Sequence, residues 1–310
     1  MLQTIQIQNF TTKSGKKYDF PLAYQCFGLP LHSAPIVLVN HALTGNSNVA
    51  GKHGWWKDIV GNGKTIDSNK YTILAFNIPG NGFDGFLIDS YEDFTAKDMA
   101  KIFILGLEKL GITQLHSVIG GSLGGAIGWE MLAIQPDLAH NLVPIATDYH
   151  TSDWLHAQCL IQDFLLNQVE NPVEKARMHA MLCYRTPKSI NQRFGKTVDE
   201  KKGILKSHDW LNYHGEALNK RFTLSAYRLM NRLLKTVDTP FDSLKKISAN
   251  IHLVAVDSDI FFPAYEIENC FEHLKKDKEN VFYHEIKSIH GHDAFLMEYH
   301  QLEEILKKNF

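Results

Sequence analysis

A serine set among glycines joins a strand-like run to a helix-like run, and this junction limits what the chain can fold into. Leu115-His116-Ser117-Val118-Ile119 is a short apolar run of strand type. Gly120-Gly121-Ser122-Leu123-Gly124-Gly125 follows, and residues 126–134 form an apolar-rich helical run ended by Pro136. Gly120, Ser122 and Gly124 fit G-x-S-x-G at a strand-to-helix turn, the nucleophile-elbow pattern. A serine held on so sharp a turn needs neighbours without Cβ. The helix after it aims its first N–H groups at the place where negative charge would develop. Glycine-rich turns of this kind also bind phosphates or simply reverse the chain, so the rest of the sequence has to decide.

The flanking pattern alternates strands with helices. Residues 1–30 read as antiparallel edge strands with a turn at 14–17. Residues 36–39 and 71–76 are continuous apolar runs, the mark of strands buried on both faces. Thr95 starts a helix with Asp98 as a capping-box partner. Its apolar positions Met99, Ile102, Phe103, Leu107 and Leu110 share one side, and Gly111 stops it. Residues 142–146 are the next strand. From about 150 to 240 strand runs give way to helical stretches, which predicts a helical insertion. Strands resume at 251–256 and 281–286, and a final helix is predicted over 294–308. The reading is a core of residues 1–149 and 241–310 with a lid insertion at 150–240, built on a mostly parallel sheet with helices on both faces. Such a sheet places its site at the carboxyl ends of its strands.

A net charge of −2 over 310 residues gives no support for nucleic-acid or membrane-surface partners. No run is apolar and long enough to span a bilayer and no signal-peptide pattern opens the chain, so the expected location is the cytoplasm. Cys26, Cys159, Cys183 and Cys270 lack C-x-x-C spacing and read as reduced thiols without a metal site.

An activated serine needs a base, and the base needs an orienting acid. Asp257-Ser258-Asp259 follows the strand ending at Val256. His290-Gly291-His292-Asp293 follows the strand ending near Ile286. Serine, acid and histidine in this order match an α/β-hydrolase. Asp259 and His292 are the preferred acid and base, with Asp257 and His290 as rivals. Turn-forming roles are the competing explanation for each cluster. An oxyanion hole needs two backbone donors. Leu123, after the serine, is one candidate. The loop Asn40-His41-Ala42-Leu43-Thr44-Gly45, directly after an early strand, offers the other, with His41 expected to fix that loop.

Several segments together resemble the homoserine O-acetyltransferase family of the α/β-hydrolase superfamily. They are residues 40–45, Gly54-Trp55-Trp56, residues 118–125, Ser258-Asp259 with Phe262-Pro263, and Gly291-His292-Asp293-Ala294-Phe295-Leu296. Tyr184-Arg185-Thr186-Pro187 and Arg221-Phe222 in the insertion resemble it too. The resemblance implies ping-pong acyl transfer from acetyl-CoA, a co-substrate, to L-homoserine, with no bound cofactor. It assigns Ser122 as nucleophile, His292 as base, Asp259 as orienting acid, and the Leu43 and Leu123 N–H groups as oxyanion donors. It also implies that Asp293 binds the substrate ammonium. In the family an arginine of the first insertion helix grips the homoserine carboxylate. Leu160-Ile161-Gln162-Asp163 holds none, which leaves Arg228 or Arg232 as substitutes, with Arg232 preferred. Most of Arg185, Arg193, Arg221 and Arg232 are expected in insertion ion pairs. Residues 77–85 also depart from the family's sequence. A serine esterase, a CoA-dependent transferase with another small alcohol acceptor, and a non-catalytic scaffold are the alternatives. Trp154, Leu155, Leu160 and Phe164 predict a homodimer through the insertion.

Overall fold

The computed structural model describes residues 1–308 and 310. Its centre is an eight-stranded sheet. The strands are β1 Gln3–Thr11, β2 Lys17–Gly28, β3 Ile36–Asn40, β4 Thr72–Phe76, β5 Leu115–Gly121, β6 Ala139–Ile145, β7 Asn250–Val256 and β8 Val281–Ile286. Their spatial order is β1-β2-β4-β3-β5-β6-β7-β8. β2 runs antiparallel to both of its neighbours, and every pairing from β4 to β8 is parallel.

The continuous apolar runs have a direct cause. Every residue of β3 and of β4 is buried, because helices cover both faces. Alternate side chains go to opposite sides. Leu38, Leu74, Val118 and Leu142 face one cluster, with Phe103 and Trp129. Val37, Val39, Ile73, Ile119 and Val143 face the other, with Trp56, Leu302 and Leu306. On the first face lie α1, Ala96–Lys109, and α2, Leu123–Ile134. The Thr95–Asp98 capping box that starts α1 is complete.

Between β6 and β7 come α3 Asp153–Gln168, α4 Pro172–Tyr184, α5 Pro187–Phe194, α6 Lys206–Asn219 and α7 Leu224–Lys235. The two chain segments that lead into and out of these helices are hydrogen-bonded to each other. Thr151 N donates to Val237 O and Thr239 N to Tyr149 O, both at 2.9 Å. α8 Phe241–Leu244 and α9 Ala264–Lys275 follow in the core.

The single final helix predicted over 294–308 is corrected to two pieces. A 3-10 turn covers Gly291–Leu296 and α10 covers Tyr299–Leu306. Met297 leaves helical geometry at φ −132°. The break lets Phe295 reach the Gly121 backbone while α10 packs Leu302 and Leu306 on the sheet. No helix among the described residues is long and apolar enough to cross a membrane.

Candidate active site

Ser122 stands between β5 and α2 with φ +53° and ψ −129°. A non-glycine residue there carries strain of about 1–3 kcal/mol, a cost that surrounding contacts must offset. The contacts are visible. Ser122 N donates to Ile145 O at 2.8 Å. A Cβ on Gly120 would come within 2.6 Å of the Gly124 backbone, and one on Gly124 would come within 2.7 Å of His41 O. The glycines are there because strand, turn and helix meet without room for side chains.

His292 Nε2 lies 2.9 Å from Ser122 Oγ, and His292 Nδ1 lies 2.7 Å from Asp259 Oδ2. Asp259 Oδ1 accepts from Phe261 N at 2.7 Å and Phe262 N at 2.9 Å. The carboxylate is thus held on both oxygens, and all three side chains are buried. Phe261, Phe262, Phe295 and Tyr184 surround the imidazole with ring centroids 5.0–5.7 Å away. This sheath shields the hydrogen-bonded chain from water and strengthens its electrostatics. The rival residues go elsewhere. Asp257 Oδ1 accepts from Ser288 N at 2.9 Å, and His290 Nδ1 meets Ser189 Oγ at 2.8 Å.

Leu123 is the first residue of α2, so its N–H has no intrahelical partner. The Leu43 loop lies against it. Asn40 Nδ2 donates to Gly124 O at 3.2 Å. His41 ties the loop down: Nδ1 sits 2.8 Å from Ala42 O, and Nε2 accepts from Ile78 N at 3.0 Å. That pattern requires the neutral Nδ1–H tautomer, and complete burial pushes the imidazole down to about 4. Residues 77–85 supply a support that sequence reasoning missed. Asn77 and Asn81 bond each other at 2.6 and 2.9 Å, and Asn81 Nδ2 donates to Gly45 O at 3.2 Å. Two asparagines four apart around Pro79-Gly80 were the available signal.

Asp293 follows His292 in the chain and pairs with Arg185 Nε at 2.9 Å. Arg221 Nη1 donates to Thr44 O at 3.0 Å, and Arg193 stacks over Phe194 and Trp210. Arg232 is corrected. It does not reach Ser122; its Nη2 meets Glu92 O at 3.4 Å, and it lines a separate cavity of about 600 Å³ with Lys97, Glu130 and Asp238. The cause is its place on α7, where Tyr227, Met230 and Leu234 take the buried face and turn Arg232 towards residues 92–95. Arg228 is also turned away, with Nη2 on Leu166 O at 3.1 Å.

One arginine near the tyrosine that flanks the histidine is a residue that sequence reasoning passed over. Arg177 on α4 lies 5.7 Å from the Tyr184 ring, whose centroid is 5.4 Å from that of His292. No carboxylate pairs with it among the described residues. After burial, its charge is the largest influence holding His214 down, to about 4. Arg177 and Tyr184 are seven residues apart, about two helical turns. That spacing was the signal.

Residues 35–178 match the family described as the alpha/beta hydrolase fold. A homoserine O-acetyltransferase of Methanococcus vannielii is 30% identical over 96% of this chain and 70% of its own length. One of Cyclobacterium marinum is 30% identical over 95% of this chain and 91% of its own. The chain belongs to the homoserine O-acetyltransferase family. Among solved structures, esterase E22 superposes with a TM-score of 0.88 at 17% identity, covering 100% of this chain and 99% of that one. At that identity the likeness speaks to the fold alone. Within the family's fold, Ser122, Asp259, His292 and Leu43 lie just past the carboxyl ends of β5, β7, β8 and β3, where parallel sheets of this type present their chemistry.

Proposed function

We propose that this chain transfers the acetyl group of acetyl-CoA to the hydroxyl of L-homoserine, a step of methionine biosynthesis. The observation that carries this reading is the unbroken chain Ser122 Oγ–His292–Asp259, with both links at or below 2.9 Å. His292 takes the Ser122 proton as Oγ attacks the thioester carbonyl. The Leu43 and Leu123 N–H groups stabilise the resulting oxyanion. Collapse expels the CoA thiolate, which takes the proton from His292, and leaves Ser122 acetylated. Homoserine enters, His292 removes its hydroxyl proton, and the alkoxide oxygen attacks the acyl carbon. Return of the proton to Ser122 Oγ releases O-acetylhomoserine. Asp259 orients the imidazole and offsets its transient positive charge.

Asp293 receives the acceptor's ammonium, and Arg177, with its unpaired guanidinium, receives the carboxylate. A planar fork suits a carboxylate bidentately. α3–α7 act as the lid over this acceptor pocket.

The test is CoA release from acetyl-CoA with and without L-homoserine. Release that depends on homoserine is expected. Release indifferent to homoserine, together with fast hydrolysis of small esters, would mark a serine esterase instead. A fluorophosphonate probe should label the protein, and Ser122→Ala should abolish the label.

The same reading includes a cytoplasmic location and a homodimer. Trp154, Leu160, Ile161 and Phe164 leave α3 with an exposed apolar face, 46–62% accessible, whereas Leu155 is buried within the chain. A second copy covers that face most simply. Light scattering that returns a monomer mass would remove the dimer.

A further inference from the structure

Asp293, the residue after His292, is not a free carboxylate. Arg185 Nε holds its Oδ2 at 2.9 Å, with the two side chains only 12% and 19% exposed. Arg185 belongs to a short lid segment that grips the histidine loop at three more places. Thr186 Oγ1 donates to Ile289 O at 2.5 Å, Ser189 Oγ meets His290 Nδ1 at 2.8 Å, and Tyr184 O lies 2.8 Å from where a Cβ on Gly291 would be. On its other side the same loop is held by the acid loop. Ser258 Oγ accepts from Gly291 N at 3.1 Å, and Asp257 accepts from Ser288 N. His292 and Asp293 therefore ride on a loop clamped between core and lid.

The ion pair uses one oxygen of the carboxylate. Among the described residues Asp293 Oδ1 has no hydrogen-bond partner, and the Arg185 Nη groups have none either. A carboxylate free to rotate accepts any cation from any direction. One tied through Oδ2 to a partly buried guanidinium presents a single oxygen in a fixed place, and the pair is neutral as a whole. It then rewards a donor that arrives at Oδ1 rather than positive charge in general.

We propose that Arg185 is a positioning residue that acts through Asp293. It fixes Oδ1 for the acceptor's ammonium and so sets the enzyme's preference for an amino alcohol over an alcohol without the amine. This rests on the transferase reading above, with Asp293 as the ammonium site.

The experiment begins with the wild-type protein, acetyl-CoA and L-homoserine. Absence of homoserine-dependent CoA release sinks the transferase reading itself, whatever Arg185 does. With that release present, Arg185→Met should raise KM for L-homoserine about tenfold or more, while Ser122 acylation in the absence of acceptor stays within about twofold. The preference for L-homoserine over 4-hydroxybutyrate should narrow by a similar factor. Arg185→Lys should recover part of the loss. In an Asp293→Asn background, Arg185→Met should add nothing, since the two act as one unit. An unchanged KM in Arg185→Met would overturn the proposal. So would acylation falling in step with acceptor binding, or effects of the two substitutions that simply add.

Discussion

Asn40 and Gly124 are fastened to each other twice. The Asn40 side-chain amide donates to Gly124 O at 3.2 Å, and the Asn40 backbone carbonyl occupies the place a Cβ on Gly124 would take. The loop that carries Leu43 and the helix behind Ser122 are thereby one packed unit. Gly124→Ala should force them apart, at a cost of about 1–3 kcal/mol in stability. Activity should fall further than stability, because the Leu43 and Leu123 N–H groups would separate. Urea unfolding and steady-state kinetics on one preparation would show it. Full activity in Gly124→Ala would mean that the two donors are not set by this contact.

The two acidic loop residues should separate cleanly. Asp259→Asn should lower kcat by roughly 10³–10⁴-fold, since the imidazole loses the partner that fixes its tautomer. Asp257→Ala should leave kcat nearly unchanged and destabilise the fold by about 1 kcal/mol, by removing the acceptor for Ser288 N. Equal losses in the two variants would contradict this division of labour.

Arg177→Met should raise KM for L-homoserine by about 10–100-fold, the usual worth of a charge-assisted carboxylate contact, without slowing acylation by acetyl-CoA. Arg232→Met should change neither, because Arg232 lies in a different cavity. Initial rates at varied acceptor concentration would decide. A larger effect from Arg232 would overturn the placement of the carboxylate.

His41 makes stability depend on pH in a defined direction. Its imidazole titrates near 4 in the folded chain, against about 6.5 when unfolded, so between those values the unfolded state binds more protons. Stability therefore rises with pH across this window, and the contribution is lost as pH falls from about 6.5 to about 4. The full amplitude is on the order of 3 kcal/mol. His252 and His214 are also held down to about 4 and add to the slope. His41→Gln should flatten the curve relative to wild type over pH 4.5–6.5 in denaturant titrations. Parallel curves for the two proteins would rule out His41 as a source of the slope.

The sheet and the residues at its strand ends were legible because each depends on a short stretch of chain. Ser122 needs its glycines within two positions. Asp259 and His292 each follow an apolar run by a few residues, and the Leu43 loop follows β3 directly. The acceptor side was not legible in the same way. Which face of a lid helix meets the histidine is decided by packing between helices far apart in sequence. Arg232 was therefore expected in the site, although α7 turns it into a separate cavity. The single final helix failed for a related reason. Nothing local forbids helix at Met297, but Met297 leaves helical geometry between the 3-10 turn that carries His292 and α10, which packs Leu302 on the sheet.

The paired segments at Tyr149–Thr151 and Val237–Thr239 have a consequence for how such an enzyme can change over generations. Because the chain leaves the sheet and returns to it side by side, the five intervening helices close as the tip of one hairpin. Insertions, deletions or whole replacements within them leave the strand register untouched and carry only a slowly growing loop-closure cost. The alcohol an enzyme accepts can drift with the cap, while the serine, acid and histidine stay under the separate discipline of the sheet.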